Sequence, residues 1–354
     1  MARLFDPLTI RSVTFPNRIA ISPMCEYSAE DGFANDWHLV HLGSRAVGGA
    51  GLVIMEATAV APEGRITPFD LGLWKDEQVA PLARITRFIK KQGSVPGIQL
   101  AHAGRKASCA EPWKGGQQLQ PEEGGWQMVA PSPVPFAEET LAPQAMSVAA
   151  IEQLLLDFAA AAKRAKQAGF EVVEIHAAHG YLLHEFYSPL SNIRTDAYGG
   201  SFETRIRLLL EVVAAVQTEW PKELPLFVRI SATDWTDGGW TIADSVALAQ
   251  QLQKAGVDLV DCSSGGNIGH AKIPVGPGYQ VPFAAAIRKE TGLLTGAVGL
   301  ITEPGQADAI IAREEADLVL IARESLRDPY FPLHAASELN QSIDWPKQYM
   351  RARK

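Results

Sequence analysis

The sequence predicts an α/β fold: a single (β/α)8 TIM barrel with a long lid insertion after the third strand. Three observations predict it. A helix-then-strand unit recurs, in "SVAAIEQLLLDFAAAAKRAKQAGFEVVEIHAAH", in "TIADSVALAQQLQKAGVDLVDCSSGG" and in "TEPGQADAIIAREEADLVLIARESL". The strands that follow these helices are continuous apolar runs, as expected where helices cover both faces of a parallel sheet. Reading the whole chain in this way gives eight such strands with helices between them. A doubly wound open sheet is the alternative, but no Gly-x-Gly-x-x-Gly turn opens the first unit.

Each element has a local reason. Ser147 caps a helix that stops at Gly169, Thr241 and Asp244 form a capping box on a helix that ends at Gly256, and Pro304 sits in the first turn of a third. The strands centre on "NRIAISPM", "GLVIMEATAV", "SVPGIQLA", "EVVEIHA", "LPLFVRIS", "DLVDCSS", "LLTGAVG" and "DLVLIAR". One connection is much longer than the rest, about residues 103–147, and is rich in Pro, Gly and Trp. Insertions of that length in a compact fold are usually lids or binding loops, and this one follows the C-terminal end of a strand. With no linker or charge run in view, residues 1–354 are expected to form one domain.

The composition narrows the function classes. The 354 residues are 47% hydrophobic and 20% charged, ordinary for a globular chain with a large core. A formal net charge of −8 excludes a general nucleic-acid footprint, which needs a basic face. No apolar run approaches membrane-spanning length and no apolar signal core opens the chain, so a soluble cytoplasmic protein is expected. Three scattered cysteines, Cys25, Cys109 and Cys262, suit a reducing compartment. They are too few for an iron–sulfur cluster.

In a barrel the chemistry gathers at the C-terminal ends of the strands. The candidates there are "PMCEY", "EATAV", "QLAHAGRK", "HAAHGY", "VRIS", "TGAVGL" and "IARES". Gly296, Gly299 and Arg323 lie where barrels often bind phosphate, although tight turns and a surface arginine would look the same in sequence. The run "EIHAAHGYLLHEF" brings His176, His179 and Tyr181 together within six residues. A metal site lacks a third ligand, because the neighbouring strand ends offer Cys25 and Arg229, and an arginine repels a cation. Two imidazole donors converging on one oxygen would instead polarise a carbonyl, with Tyr181 as a proton source of high pKa. Core histidines and a packing tyrosine are the plainer alternative. No side chain here is a nucleophile with a base beside it, and Cys25 by itself is more often a packing residue. Donors without a nucleophile point to a cofactor that carries the chemistry.

At these positions the chain resembles the Old Yellow Enzyme family of FMN-dependent ene-reductases, specifically its Cys-containing thermophilic-like class. The likeness runs through "NRIAISPMCEYSAEDG", "EATAVAPEGRI", "IQLAHAGRK", "EIHAAHGYLLHEFYSPLSNIRTDAYGGSFETR", "TGAVGLI" and "ADLVLIARESLRDP". It implies that Pro23, Met24 and Cys25 lie along the flavin, with Cys25 tuning its potential. It also implies that Ala57 offers a backbone N–H, Gln99 bonds the pyrimidine edge and Arg229 faces the side that gains negative charge on reduction. Val298, Gly299, Ala322 and Arg323 would hold the phosphate side, and Lys106 would lie near the cofactor. His176 and His179 would grip a substrate carbonyl, Tyr181 would protonate its α-carbon and Tyr27 would add a hydrogen bond.

The implied reaction is ping-pong. NADPH or NADH reduces FMN, and an activated alkene such as an α,β-unsaturated carbonyl compound then takes the hydride. Many relatives read Gly-Arg where this chain has Ala322–Arg323, and one places a tryptophan at the position of Val298. The tail, about residues 340–354, resembles a Gln-Tyr-x-Arg segment whose arginine reaches a neighbour's site. It implies that Arg351 acts in trans and that the protein is a homodimer or homotetramer. A dienoyl-CoA-reductase-like flavoenzyme, a non-catalytic flavin-binding barrel and a metal-dependent hydrolase are the competing classes.

Overall fold

The computed structural model describes residues 3–353; the expected domain and tail bounds at 1, 2 and 354 lie outside the described residues. Eight parallel strands close a barrel. In chain order they are β1 (Ile19–Ile21), β2 (Leu52–Ala59), β3 (Val95–Ala101), β4 (Val172–Ala177), β5 (Leu226–Ser231), β6 (Leu259–Ser263), β7 (Leu294–Ala297) and β8 (Leu318–Ile321). All eight expected strands are present, each buried along its length apart from Leu294 at the start of β7. A helix of five residues or more follows each strand; after β3 the insertion comes first, before Val148–Gln167.

The expected caps are seen. Ser147 Oγ accepts from the Ala150 amide at 3.1 Å. Thr241 and Asp244 bond reciprocally, at 2.9 and 3.3 Å. Two features carried no strong sequence signal. Strands Leu8–Ile10 and Val13–Phe15 form an antiparallel hairpin before the barrel. Ile10, Val13 and Phe15 then pack into the apolar cluster that includes Val172, Phe227 and Leu259, so the hairpin plugs one end of the barrel. Within 103–147, Val129–Ala130 pairs with Gln144–Ala145, and Cys109 bridges Gln118.

Strand side chains alternate between faces, so inward residues stack in layers inside a barrel. At the plugged end the inward layer is apolar: Leu52, Val95, Val172, Phe227, Leu259 and Leu318. One step along, Gln99, Glu174, Arg229 and Asp261 make a polar layer, all buried. The next step brings His176, Ser231 and Ser263 to the mouth. Gly296 belongs to this packing as well. A side chain there would meet Leu320 Cδ1 at 2.7 Å, so its glycine serves the barrel interior rather than a phosphate.

The β2 strand breaks this alternation. Its pairing with β3 shifts between Met55 and Ala57, a β-bulge in which Glu56 is the extra residue. Glu56 turns to the helix Asp36–Val47, where its carboxylate lies 3.3 Å from His38 Nε2 and accepts from the Glu26 amide at 3.1 Å. Ala57 thereby comes into register with Gln99 of the polar layer.

Candidate active site at the barrel mouth

The loop after β4 carries the rings, and it is tightly held. His179 has φ +61°, a conformation that costs a residue with a side chain about 1 kcal/mol or more. Neighbouring groups offset that cost. The His179 amide donates to Ser231 Oγ at 2.8 Å, and the Gly180 amide donates to His184 Nδ1 at 2.9 Å. His184 is in turn fixed by Asp234, 2.9 Å from its Nε2. Lys106 Nζ donates to the carbonyls of His179 (2.8 Å) and Gly266 (3.0 Å). Gly180 is required, because a Cβ there would sit 2.1 Å from the Gly266 carbonyl oxygen. His184 and Glu185 of the run "EIHAAHGYLLHEF" are therefore braces: Glu185 Oε1 accepts from the Arg105 amide at 2.8 Å and anchors the start of the insertion.

The braced loop clusters three rings. His176 lies 5.1 Å from His179 and 5.2 Å from Tyr181, centre to centre, with the planes near perpendicular. Burial, followed by the charge of Arg229, holds both imidazoles well below the usual histidine range, so both are neutral. His176 Nδ1 is buried without a partner among the described residues. His179 Nε2 lies 2.6 Å from Ser263 Oγ. Burial drives the Tyr181 phenol well above its ordinary range, so its proton is retained. The Lys106 ammonium sits over the Tyr181 ring at 5.0 Å, and burial lowers its pKa to about 8. Lys106 is thus an internal tie and not a solvated side chain.

The opposite rim comes from the segment after β1. Pro23, Met24, Cys25 and Tyr27 are all half-buried there, and Tyr27 adopts φ +47°. Burial, followed by Asp70 and Glu56, keeps Cys25 a neutral thiol. Such a thiol is a poor nucleophile at neutral pH. Burial also pushes the Tyr27 phenol up. Its ring meets Trp113 of the insertion edge-on at 5.9 Å. A cavity of about 350 Å³ lies between the insertion and the mouth, lined by Tyr27, Lys106, Cys109, Phe136 and Tyr181 among others.

From Arg229 a second cleft, about 170 Å³, runs outward past Val298, Gly299, Ala322 and Arg323. Gly299 has φ +124°, and a side chain there would press on Gln280 Nε2 at 3.0 Å and Tyr279 at 3.1 Å. Ala322 has φ −100° and ψ −104°, outside the regions that residues with a side chain usually occupy. Arg323 opens the short helix Arg323–Arg327 and is exposed. Sequence reasoning missed Ser263, Gln280 and Tyr279 in this cleft. Ser263 is a strand end like the others, and the strand-end rule applied to "DCSSGG" would have found it.

One expected residue is elsewhere. Arg351 is exposed in the turn Lys347–Ala352 and lines neither cleft of its own chain. Among the described residues no group of three His, Cys, Asp or Glu could hold a metal ion, and no helix is long and apolar enough to cross a membrane.

The Arg229 cleft is lined by Ser263, which contacts His179, and the insertion cavity by Tyr181, so both border the ring cluster, and together they suit a flat polar ring with a phosphate tail. His176 Nδ1 is a buried polar atom without a hydrogen bond, Arg229 Nε has only its ion-pair contact with Asp261 Oδ2, and Arg229 Nη1 reaches only Ser22 Oγ, at 3.3 Å. The bare Gly299 backbone makes the cradle at the far end. A planar ligand with acceptors on one edge fits this donor set.

Comparison with known proteins points the same way. Residues 3–342 match the family model described as the NADH:flavin oxidoreductase / NADH oxidase family. The NADPH dehydrogenase of Bacillus subtilis (strain 168) is 50% identical over 354 residues, covering 99% of each chain. That of Geobacillus sp. (strain WCH70) is 51% identical over 350 residues, covering 98% of each. A solved structure of morphinone reductase in complex with tetrahydroNAD superimposes with a TM-score of 0.79 at 27% identity, covering 98% of this chain and 93% of that one.

Proposed function

The chain belongs to the NADH:flavin oxidoreductase / NADH oxidase family, the Old Yellow Enzyme group of FMN flavoenzymes, and from that membership we propose that it is an ene-reductase. Its reductant is NADPH or NADH, and its substrates are alkenes activated by a carbonyl or a similar electron-withdrawing group. The observation that carries the reading is the ring cluster itself: two neutral imidazoles and a protonated phenol, braced at the barrel mouth above Arg229 and Gln99.

When bound, FMN supplies the hydride transfer from the nicotinamide to the alkene, which no side chain here provides. Pro23, Met24, Cys25, Ala57, Gln99, Arg229, Val298, Gly299, Ala322 and Arg323 would hold it. Arg229 would favour negative charge on the edge it faces, because a fixed cation in a dry site acts with little screening. His176 and His179 would donate to the substrate carbonyl oxygen. Being neutral, each has one N–H to give, and the site is set before charge develops, which is the condition for strong stabilisation. Tyr181 would deliver its proton to the α-carbon, and a phenol of raised pKa holds that proton until the carbon becomes basic. Tyr27 would orient the same oxygen or a second substituent.

Residues 103–147 would act as a lid, since Trp113 meets Tyr27 and Arg105 and Lys106 tie the segment to the β4 loop. The cavity beneath would admit a compact, largely apolar molecule. Arg351 would complete a neighbour's site in a homodimer or homotetramer.

The test begins with colour and a phenol titration. Purified protein is expected to be yellow, to release FMN on denaturation, and to be reduced by NADPH and reoxidised by cyclohexenone under anaerobic conditions. His176→Ala combined with His179→Ala is expected to stay yellow while phenol affinity falls at least about a hundredfold, from two hydrogen bonds worth about 1.5–3 kcal/mol each. Undiminished phenol binding in the double variant would refute the paired-donor reading.

A further inference from the structure

Beneath the mouth, the polar layer of the barrel has an uneven charge count. Gln99 is in register with Glu174 across β3 and β4, and Arg229 with Asp261 across β5 and β6. Gln99 Nε2 donates to Glu174 Oε1 at 2.7 Å. Arg229 Nε lies 3.1 Å from Asp261 Oδ2. None of the four residues is more than 4% exposed. The layer therefore holds one cation and two carboxyl groups, over an apolar floor of Val172, Phe227 and Leu259.

Three oxygens are the clue. Glu174 Oε2 and Asp261 Oδ1 are buried without a hydrogen-bond donor among the described residues, and Asp261 Oδ2 has only the ion-pair contact with Arg229 Nε. A buried acceptor left bare costs about 1–3 kcal/mol, more when charged. Two ionised carboxylates sharing a dry site also repel, and such pairs commonly keep one proton between them. One proton on this pair removes the surplus charge and supplies the missing donor.

We infer that Glu174 is a neutral carboxylic acid that donates its proton to the Asp261 carboxylate, and that this acid pair positions Gln99 and Arg229 for the flavin. The assignment of the proton to Glu174 follows from its partners. Its Oε1 already accepts from Gln99, leaving Oε2 as the hydroxyl, while Asp261 keeps the charge that faces Arg229. Burial raises both carboxyls. The Asp261 charge raises Glu174 further, whereas Arg229 and the contact with Glu174 hold Asp261 back.

The inference rests on the reading that Gln99 and Arg229 face FMN. It gives the two acids different duties as positioning residues. Asp261 offsets Arg229 and so limits how strongly that cation favours the reduced cofactor. Glu174 carries no charge but orients Gln99 directly and Arg229 through Asp261. Glutamine is the close isostere of a neutral glutamic acid: in Glu174→Gln the amide oxygen still accepts from Gln99 and the amide nitrogen still donates to Asp261. Asp261→Asn leaves Arg229 without its counter-charge.

The test is an anaerobic redox titration of the holoenzyme against reference dyes, joined to infrared spectroscopy of the apoprotein. Glu174→Gln is expected to keep the FMN redox equilibrium within about threefold of wild type and to bind FMN equally well. Asp261→Asn is expected to shift the equilibrium at least tenfold towards reduced FMN, about 30 mV for a two-electron couple. The wild-type apoprotein at neutral pH is expected to show a protonated-carboxyl stretch that Glu174→Gln lacks.

An infrared difference without that band overturns the proposal, as does a Glu174→Gln variant that fails to fold or shifts as far as Asp261→Asn. The band needs only the wild type and Glu174→Gln, so it decides the matter whether or not Asp261→Asn folds. A colourless wild type would overturn the flavin reading and leave the band to judge the acid pair by itself.

Discussion

His179 Nε2 stands 2.6 Å from Ser263 Oγ, joining the end of β4 to the end of β6 across the barrel mouth. The imidazole is neutral, so this contact decides which nitrogen is left for a ligand. With Ser263 donating, Nε2 accepts and the N–H lies on Nδ1, free for a substrate oxygen. Ser263 has only a weak competing acceptor, Gln280 Oε1 at 3.4 Å.

Ser263→Ala is accordingly expected to release the tautomer and let the ring turn. Phenol and enone affinity should fall about fivefold, as for one neutral hydrogen bond of about 1 kcal/mol. FMN content should stay full. An absorbance titration with a para-substituted phenol measures it, and an unchanged dissociation constant would show that Ser263 does not set the ring.

That contact also marks where the sequence stopped being legible. The barrel could be read because its periodic devices are local: the caps at Ser147 and Thr241, the stops at Gly169 and Gly256, and apolar runs such as "LFVRIS". His176, His179 and Tyr181 could be read because one loop carries all three. Ser263, Gln280 and Tyr279 come from other strand ends and loops, and only closure of the barrel brings them to the site. The same holds for the layer beneath. Glu174 and Asp261 are 87 residues apart in the chain, and each looks like an ordinary strand residue until the register is known. The N-terminal hairpin was missed because three-residue strands show too little alternation to distinguish from a loop.

The same buried groups predict an unusual pH profile for the apoprotein. Burial pushes Glu174 and Glu185 up to about 8, from an ordinary 4.5. Both stay protonated in the folded chain across that window but ionise once it unfolds, so unfolding releases protons and stability falls as pH rises from about 4.5 to about 8. Histidines act in the opposite sense. Burial lowers His102 to about 4, and His176 and His179 are lowered too, so unfolding takes up protons below about 6.5 and stability falls as pH drops there. The two effects oppose one another below 6.5, and above it the glutamates act without that opposition. Denaturant melts should therefore show lower stability at pH 8 than at pH 6.5, by up to about 1.4 kcal/mol per pH unit per group. Glu185→Gln should flatten that slope by about half. A stability that rises through this window would contradict the neutral glutamates.

Gly299 offers a separate handle on the cofactor. At φ +124° its backbone lies in a region that side chains rarely adopt, and Gln280 and Tyr279 already crowd the place a Cβ would take. Gly299→Val should distort the cleft wall while leaving the ring cluster intact. The expected outcome is FMN affinity reduced at least tenfold, read by fluorescence on titrating apoprotein with FMN, with a melting temperature of the apoprotein changed by only a few degrees. Full retention of FMN through purification would remove Gly299 from the cofactor site.

Tyr181→Phe isolates proton delivery from everything else the site does. The substitution keeps the ring that faces His176 and that Lys106 caps, and removes only the hydroxyl. Reduction of the enzyme by NADPH needs no proton from that phenol, so its rate should be unchanged within about twofold. Reoxidation by an enone needs a proton at the α-carbon, and a positioned general acid is typically worth about 10²–10⁴-fold. Water entering the vacated space would recover part of that, so a slowing of about tenfold to a hundredfold is expected in anaerobic stopped-flow. A deuterium solvent isotope effect on reoxidation should grow in the variant as water takes over the transfer. Equal loss in both half-reactions would instead assign Tyr181 to binding, and no loss in either would place the proton source elsewhere at the mouth.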